Sequence, residues 1–439
     1  MNSYPHLSEE VLVQQLLDER TSYGIGNGKW PLWMRSSPAD ILKDKKFVVC
    51  GSLCRPEIRV LAKHAQVIGV VDDSIVQRGG GEVFGIDVID SDTWIELAHK
   101  DQSIVSIVLA AGTTGYQHFN RLATQWKLQT LSSLQYLHLL TDCGINKNGE
   151  AGRFFWYGEE FFVRTLDNLD KLIESRKRLG DSWSRISWLC ILLYRMTLNP
   201  FYLTACAVGH HFERFALDSY SINRRFFRFS EDEVYVDGGA FTGDTIAQFM
   251  RAVGGKFRHI HSFEPSSTNN RAIKDMLSSS QNTFAWPIAS RITLHEKGLW
   301  DSDTTLLFNA SQVVEMDGNE AAISPPSAHI VDTGLAGHLY DKQQEAEISA
   351  QVPVTTVDAA TNREATFIKL EIEGSELQAL HGAKESISRN RPKMAISIYH
   401  KPEDLETLLD FVLETGHDYQ LGFRQHNPWV PVAMVLYCW

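Results

Sequence analysis

The sequence lacks a lysine- and arginine-rich run long enough to supply a local basic face, and its charge balance is acidic. It has 42 Lys and Arg residues against 54 Asp and Glu residues, which gives a formal net charge of −12. An acidic chain without a local basic face is a poor partner for phosphate backbones. We therefore exclude nucleic acid as a partner and expect a small-molecule or carbohydrate substrate.

Export and membrane signals are also lacking. The first ten residues do not place a basic segment before an apolar one, so they do not resemble a secretory signal. The longest apolar stretch, near Trp188 to Met196, is interrupted by Arg195 and is far shorter than the roughly 20 residues of a membrane span. We expect a cytoplasmic protein with no membrane partner.

The six cysteines are scattered along the chain. Cys50 and Cys54 are spaced C-x3-C, but no second pair follows at the spacing of a zinc site. We interpret the cysteines as reduced, mostly buried thiols. No metal cofactor is expected.

The chain of 439 residues is too long for one ordinary hydrophobic core, and its patterns divide it into four parts. Residues 1–44 form a polar extension with a short helix. In residues 45–140, short apolar strands alternate with helices, which predicts a small Rossmann-like α/β domain with a parallel sheet. Residues 141–230 are predicted to be a helical connector. Residues 231–439 alternate strand and helix again and form the second α/β domain.

The most informative segment is EVYVDGGAFTGDT, which begins at Glu233. It predicts a strand, a glycine turn and a helix whose apolar residues, from Ile246 to Val253, recur at three- and four-residue spacing. In this arrangement backbone N–H groups and a helix N-terminus meet an anionic group of a ligand. The glycine order does not match the dinucleotide fingerprint G-x-G-x-x-G. It matches the loop that binds S-adenosylmethionine (SAM).

The next strand supports the same ligand. HIHSFEP places Glu264 at the end of that strand, where its carboxylate can accept both ribose hydroxyl hydrogens, and Pro265 ends the strand. The candidate cofactor-binding residues are Asp237, Gly238, Gly239, Ala240, Phe241, Gly243, Glu264, Pro265 and Ser266.

Five ordered blocks resemble the FkbM-type methyltransferase family: VYVDGGAFTGDT, SFEP, VTTVDAA, FIKLEIEGSELQALHGA and ISIYHKPEDL. The resemblance covers residues 231–439. It implies a class I SAM-dependent, Rossmann-like fold and O-methylation of a sugar, polyketide or similar metabolite. It also implies that Gly298 and Leu299 lie where the adenine pocket is built. One position departs from the family, because Glu371 stands where K-x-D-x-E-G usually has Asp.

The block FIKLEIEG suggests a reaction centre. Lys369, Glu371 and Glu373 alternate with apolar residues, so they share one face of a strand predicted over residues 367–372. Burying such charges unpaired is costly, so they either pair or lie at the carboxyl end of the strand beside a cleft. His400 ends the strand MAISIYH and would share that edge.

The candidates for positioning the acceptor or removing its proton are Glu371, Glu373 and His400. The alternative is a structural ion pair between Lys369 and Glu373, with His400 only capping the edge.

Two further segments of the second α/β domain carry predictions. The polar segment from Ala310 to Gln351 is predicted to be a long loop, either shaping the acceptor pocket or forming a disordered excursion. The last two strands, YQLGFRQ and AMVLYCW, predict an antiparallel edge hairpin. Because the chain ends on a strand, we expect this domain to be complete.

The first α/β domain has one glycine where a dinucleotide site would have three. Asp72 or Asp73 could still bind a ribose, and AAGTTG could approach a phosphate. We weigh a nucleotide-sugar or dinucleotide enzyme built on this domain against a scaffold that presents substrate or forms a homodimer. A non-catalytic SAM-binding protein is the third alternative.

Overall fold

The structure is a computed structural model, and it describes part of the chain. The described residues are 7–23, 42–51, 55–109, 118–119, 121–123, 125–132, 135–136, 139–140, 143, 145, 159–208, 220–278, 288–310, 328–331, 349–428 and 431–439. The chain divides into two compact units. The first contains Met1–Phe162, Leu189–Cys206 and Pro428–Val430, and the second contains Val163–Trp188, Ala207–Asn427 and Pro431–Trp439.

The first unit is built on a six-stranded sheet. Its strands are β1 (Lys46–Cys50), β2 (Gln66–Val71), β3 (Glu82–Val83), β4 (Ile86–Ile89), β5 (Ile104–Val108) and β6 (Thr130–Ser132). The spatial order is β3-β4-β2-β1-β5-β6, and only the short β3 is antiparallel to its neighbour. The apolar strands β1 and β5 lie buried at the centre of the sheet, as parallel strands covered on both faces do. The predicted Rossmann-like α/β domain is confirmed.

Bounds are defined for eight helices that precede the seven-stranded sheet of the second unit. They are α1 (Glu9–Tyr23), α2 (Arg55–His64), α3 (Asp73–Val76), α4 (Ser91–Lys100), α5 (Glu159–Asp167), α6 (Leu169–Ser175), α7 (Ser182–Thr197) and α8 (Pro200–Cys206). A 3-10 turn, Arg176–Arg178, follows α6. No described helix has both the length and the apolar character that crossing a membrane requires.

The second unit contains a seven-stranded sheet. Its strands are β7 (Val234–Gly238), β8 (His259–Phe263), β9 (Ile292–His295), β14 (Phe367–Leu370), β15 (Lys393–Ser397), β16 (Leu421–Gln425) and β17 (Met434–Cys438). The order is β16-β17-β15-β14-β7-β8-β9; β17 is antiparallel to both of its neighbours and the other pairs are parallel. This confirms the class I arrangement and the terminal antiparallel hairpin.

A separate, four-stranded sheet lies in the segment after β9. Its strands are β10 (Gly298–Leu299), β11 (Thr304–Ala310), β12 (Ala328–Val331) and β13 (Ser349–Thr355), in the order β10-β13-β11-β12. The prediction of one long loop from Ala310 to Gln351 is therefore wrong where β12 and the first residues of β13 lie, and the alternation of Ala350, Val352 and Val354 indicates β13 in the sequence itself. Residues 311–327 and 332–348 lie outside the described residues.

The helices of the second sheet are short. They are α9 (Asp244–Ala252), α10 (Ser267–Ser278), α11 (Val357–Ala360), α12 (Glu376–His381), α13 (Lys384–Asn390) and α14 (Asp404–Glu414), with a 3-10 turn at Ile288–Arg291. The apolar face predicted for α9 is buried, and Gly254 and Gly255, both with positive φ, follow its end.

An aromatic cluster fixes β7, α9 and β14 against one another. The ring of Tyr235 lies 4.8 Å from that of Phe367 and 4.5 Å from that of Phe249. All three side chains are fully buried. Such pairs add to the stability gained from apolar burial alone. The cluster therefore sets the edge at which the carboxyl ends of β7 and β14 meet.

Candidate active site

The candidate site lies where the strand order of the seven-stranded sheet reverses. β7 and β14 are adjacent parallel strands, and their last residues, Gly238 and Leu370, are register partners. From this pair the chain runs outward to β8 on one side and to β15 on the other. In open α/β sheets, ligands bind in the crevice beyond the carboxyl ends of the strands at this reversal.

A buried ion pair lies at the base of this edge. Asp237 is the penultimate residue of β7, and its carboxylate accepts a 2.6 Å hydrogen bond from Thr245 and lies 3.1 Å from the Lys369 ammonium. Lys369 also donates to the carbonyls of Gly238 (2.9 Å) and Gly239 (2.6 Å). The alternative pair of Lys369 with Glu373 is not formed, because Lys369 points toward β7.

The glycine loop is packed tightly against β14. Gly239 has a φ of 76°, and a Cβ there would lie 1.9 Å from the carbonyl oxygen of Glu371, so no side chain fits. Gly243, with a φ of 85°, stands directly before α9, and a Cβ there would lie 2.5 Å from Met276. These glycines let the loop reach the strand end without a clash.

Glu264 fastens the loop to the end of β8. Its carboxylate accepts hydrogen bonds from the backbone N–H groups of Phe241 (3.0 Å) and Ser266 (2.9 Å). Burial raises the pKa of Glu264, although these N–H groups oppose the increase. Phe241 has a φ of 48°, an unusual conformation for an aromatic residue that this hydrogen bond helps to hold.

The other predicted cofactor residues surround the same loop. Gly238 is buried, and a Cβ there would lie 3.0 Å from Leu299. The N–H group of Ala240 donates to the carbonyl of Phe263 at 3.1 Å. Gly298 is buried like Leu299, whereas Pro265 and Ser266 are half-buried.

Two tyrosines lie near Glu371. The strand predicted over residues 367–372 ends at Leu370 in the structure, so Glu371 lies just beyond it. The Tyr399 hydroxyl donates to Oε1 of Glu371 at 2.6 Å, and the negative charge of this carboxylate adds to burial in raising the pKa of the nearby Tyr220 phenol. The other oxygen, Oε2, is buried and has no hydrogen-bond partner among the described residues.

His400 lies between two glutamates. Its Nδ1 is 3.0 Å from Oε1 of Glu376, and its Nε2 is 3.5 Å from Oε2 of Glu373. Burial alone would lower the pKa of His400, but Glu376 and Glu373 together raise it to about 10. Burial raises the pKa of Glu373 to about 7, against the opposing effect of His400. Glu373 has a φ of 54°, and such strained residues are enriched at functional sites.

Carboxylates outnumber cations along this edge. The carboxylates are Asp237, Asp244, Glu371, Glu373 and Glu376, and the cations are Lys369 and His400. Asp244 is the first residue of α9, and burial raises its pKa. An edge of this kind can bind a cationic ligand or accept a proton from a hydroxyl group. One ligand atom each from Glu376, His400 and Asp404 also lies within 4.8 Å of the others.

Sequence reasoning missed Tyr220, Tyr399, Asp244 and Glu376 as neighbours of the predicted catalytic residues. Tyr220 and Tyr399 are separated from Glu371 along the chain, and only the fold brings them together. Glu376 could have been noticed, because it is a charged residue within the same sequence block as Glu371 and Glu373.

The acidic residues named in the first unit serve local structure. Asp72 accepts hydrogen bonds from the backbone N–H groups of Ser74 and Ile75, and so caps α3. Asp73 accepts hydrogen bonds from the N–H and the hydroxyl of Ser91. The AAGTTG segment lies outside the described residues.

Comparisons with known proteins agree with this geometry. Residues 237–424 match the model of the Methyltransferase FkbM domain. A crystal structure of methyltransferase FkbM from Methylobacillus flagellatus KT is 22% identical, with a TM-score of 0.59, over 98% of this chain and 100% of that chain. At this identity the similarity concerns the fold. No curated protein matches the chain significantly.

Two other solved structures are more distant. A putative rRNA-methylase from Clostridium thermocellum is 13% identical over 48% of this chain and 87% of its own, with a TM-score of 0.27. A precorrin-6y C5,15-methyltransferase from Geobacter metallireducens GS-15 is 10% identical over 49% of this chain and 84% of its own, with a TM-score of 0.26. The family match begins at Asp237 and ends at Arg424, so it spans the glycine loop and the carboxylate-rich edge, and this part of the chain matches a methyltransferase FkbM domain.

Proposed function

We propose that this methyltransferase uses SAM as its methyl donor and acts on a hydroxyl group of a small molecule or carbohydrate. The observation that carries the proposal is the excess of carboxylates beside the glycine loop at the strand-order reversal. Such an edge suits a cationic donor and an acceptor that must lose a proton.

The residues present fit SAM. When bound, SAM supplies an electrophilic methyl group on a positively charged sulfur. The carboxylates Asp244 and Glu371 give the edge a negative charge that favours this cation, and Oε2 of Glu371 is free to accept a hydrogen bond. Glu264 already accepts two N–H groups, and a carboxylate has about four acceptor positions, so it can also accept ribose hydroxyls.

The acid–base chemistry is assigned to residues after β14. A hydroxyl is a weak nucleophile, and its attack is helped by a base that receives its proton. Glu373 suits this role, because its pKa of about 7 lies near the operating pH and its side chain is 24% exposed. In this role the Glu373 carboxylate would accept the proton of the acceptor hydroxyl, and bound SAM would supply the methyl group that the oxygen receives.

Glu371 is proposed to position the acceptor. The Tyr399 phenol donates to Oε1 of its carboxylate, which leaves Oε2 for a second hydroxyl of the acceptor. Holding the reacting oxygen in line with the methyl group contributes much of the rate in such a displacement. An acceptor with neighbouring hydroxyls, such as a sugar or a polyketide-type metabolite, meets this requirement.

The experiment uses the full chain, SAM with an isotope-labelled methyl group, and a panel of sugars and hydroxylated metabolites. For each acceptor, the matched control is the analogue that lacks the candidate hydroxyl. The expected product carries the label in a methyl ether, identified by mass spectrometry and by the carbon shift of the methyl group.

Two outcomes would contradict parts of this proposal. A methyl group found on nitrogen or carbon contradicts the hydroxyl assignment. SAM binding without turnover on any acceptor favours a non-catalytic SAM-binding protein.

The first unit is proposed to act as a scaffold that presents substrate or forms a homodimer. Asp72 and Asp73 are engaged in local hydrogen bonds, which supports a structural role. Calorimetry with NAD and with a nucleotide sugar is expected to detect no binding. Sedimentation of the full chain is expected to show a dimer, and a monomer would contradict that part.

A further inference from the structure

The side chains of Glu376, His400 and Glu373 form a continuous row. Oε1 of Glu376 lies 3.0 Å from Nδ1 of His400, and Oε2 of Glu373 lies 3.5 Å from Nε2 on the other side of the ring. The side chain of Glu376 is 1% exposed and that of His400 is 6% exposed, whereas Glu373 at the end of the row is 24% exposed. The row therefore runs from the protein interior to the accessible edge.

The local backbone explains how the row forms. Glu373 and Gly374 both have positive φ values, of 54° and 93°, and this turn brings Glu376 to the start of α12. Oε1 of Glu376 also accepts the N–H group of Ile372 at 2.9 Å, which fixes its direction. The His400 ring also contacts the Tyr399 ring, with ring centroids 4.1 Å apart and the planes tilted by 40°.

The geometry decides the protonation of the imidazole. Ionised carboxylates accept hydrogen bonds and cannot donate them, whereas a neutral imidazole has one donor and one acceptor nitrogen. A carboxylate oxygen lies within 3.5 Å of each nitrogen of His400, so the positive charge of the imidazolium form is favoured by both ion-pair contacts, although neither contact has hydrogen-bond geometry. Glu371 and Asp404, the other acidic groups near the ring, add negative charge and favour the same form.

A metal ion is the competing occupant of this cluster. Glu376, His400 and Asp404 could each offer one atom to an ion. However, Oε1 of Glu376 already faces Nδ1 of His400 and the N–H of Ile372, and Oδ2 of Asp404 accepts the N–H of Lys401 at 2.7 Å. The ion-pair contact of Glu376 with the imidazole and these backbone N–H bonds favour a protonated His400, and we do not assign the three groups to a metal.

We propose that Glu376 is a positioning residue that keeps His400 as a fixed imidazolium facing Glu373, so that Glu373, and not His400, receives the proton of the acceptor. The catalytic part rests on the proposed function. The charge state of His400 does not, because it follows from contacts within the protein.

The direction of the pH effect follows from the groups around Glu373. Burial and the carboxylates Glu371 and Glu376 raise its pKa, while His400 and Lys369 lower it. Activity should therefore increase with pH as Glu373 ionises near pH 7. Removing the imidazolium removes an opposing charge and should move this ascending limb to higher pH by about 1–3 units.

The first test measures the His400 ring directly by nitrogen and carbon NMR of the full chain without substrate, with the signal identified by its loss in His400→Gln. The wild-type ring is expected to remain protonated at pH 8, and Glu376→Gln is expected to make it neutral at that pH. The other histidines serve as internal controls. A neutral wild-type ring at pH 8 overturns the proposal, as does broadening of its signal by low concentrations of Mn²⁺.

The second test is the pH profile of kcat/KM. His400→Gln and Glu376→Gln are both expected to move the ascending limb upward, and Glu373→Gln is expected to abolish it and lower kcat by about 10²–10⁴-fold. If Glu376 were only a nearby negative charge, Glu376→Gln would move the limb downward. That downward shift, or a Glu373→Gln variant that keeps the limb, overturns the catalytic part and leaves the NMR result to be judged separately.

Discussion

At the scale of single residues, the site depends on charges removed from water. Asp237 and Lys369 are almost completely buried, and each charge is balanced by the other. Thr245 donates to Asp237, and the carbonyls of two glycines accept hydrogen bonds from Lys369. Removing one member of a buried pair leaves the other charge uncompensated. We therefore expect changes in these two side chains to affect both the free energy of unfolding and the proposed binding of SAM.

Lys369→Met is expected to lower the free energy of unfolding by roughly 3–5 kcal/mol, because the Asp237 charge would remain buried without a partner. Urea denaturation at pH 7 measures this. Lys274→Met is the matched control, since Lys274 and Glu296 form an exposed pair (57% and 52%) expected to contribute about 0–1 kcal/mol. Equal losses in the two variants would contradict the role of the buried pair.

The raised pKa of Glu373 predicts that the free energy of unfolding depends on pH. Its pKa in the folded protein, about 7, lies above its ordinary value of 4.5, so the folded state retains a proton that the unfolded state loses in this window. This stabilising contribution is present below pH 4.5 and is lost as the pH rises through about 7. Glu373→Gln remains neutral at every pH.

The stability of Glu373→Gln relative to wild type is therefore expected to increase between pH 5 and pH 8. Midpoints of urea unfolding at several pH values measure this, with Glu296→Gln as the exposed control, for which a smaller change is expected. A flat difference for Glu373→Gln across this range would show that its environment does not raise its pKa.

At the scale of elements, local motifs were predictable and long-range neighbours were not. The β7 strand, its glycine loop and α9 follow one another in sequence, so their pattern identifies them before the fold is known. Glu264 was found in the same way, from its place at the end of β8. Its hydrogen bond to Phe241 was not, because it joins two separate loops.

The reaction centre shows the limit of sequence patterns more clearly. Alternation placed Lys369, Glu371 and Glu373 on one face, but β14 ends at Leu370, and a turn with positive φ redirects Glu373. Lys369 therefore pairs with Asp237, and Glu373 lies near His400. A two-residue period holds only within a strand, so it cannot predict directions beyond the strand end.

The glycine loop supplies a prediction at this scale. Gly239→Ala is expected to weaken SAM binding at least tenfold, because a Cβ would lie 1.9 Å from the Glu371 carbonyl oxygen and would push the loop away from β14. Gly254→Ala is the matched control, because Gly254 also has a positive φ, of 60°, but a Cβ there meets no atom within 4 Å.

Both substitutions introduce backbone strain of about 1–2 kcal/mol, but only the first distorts the loop. Fluorescence or calorimetric titration with SAM separates them. Equal affinities in the two variants would mean that the close approach of Gly239 to β14 does not shape the cofactor site.

At the scale of the whole molecule, the chain combines a general acidic charge with a buried acidic edge. The net charge of −12 disfavours polyanionic partners, and the edge of the second unit holds more carboxylates than cations. A positively charged ligand would reduce this imbalance and stabilise the unit that binds it. The family match from residue 237 to residue 424 places the methyltransferase domain in the same part of the chain.

The most direct test of the account is titration calorimetry of the full chain with SAM at pH 7.5. The expected result is saturable binding at one site per chain, lost in Glu264→Ala and retained in Glu296→Ala, whose carboxylate pairs with Lys274 on the surface. The absence of SAM binding by the correctly folded wild-type chain would contradict the account, as would binding that is unchanged in Glu264→Ala.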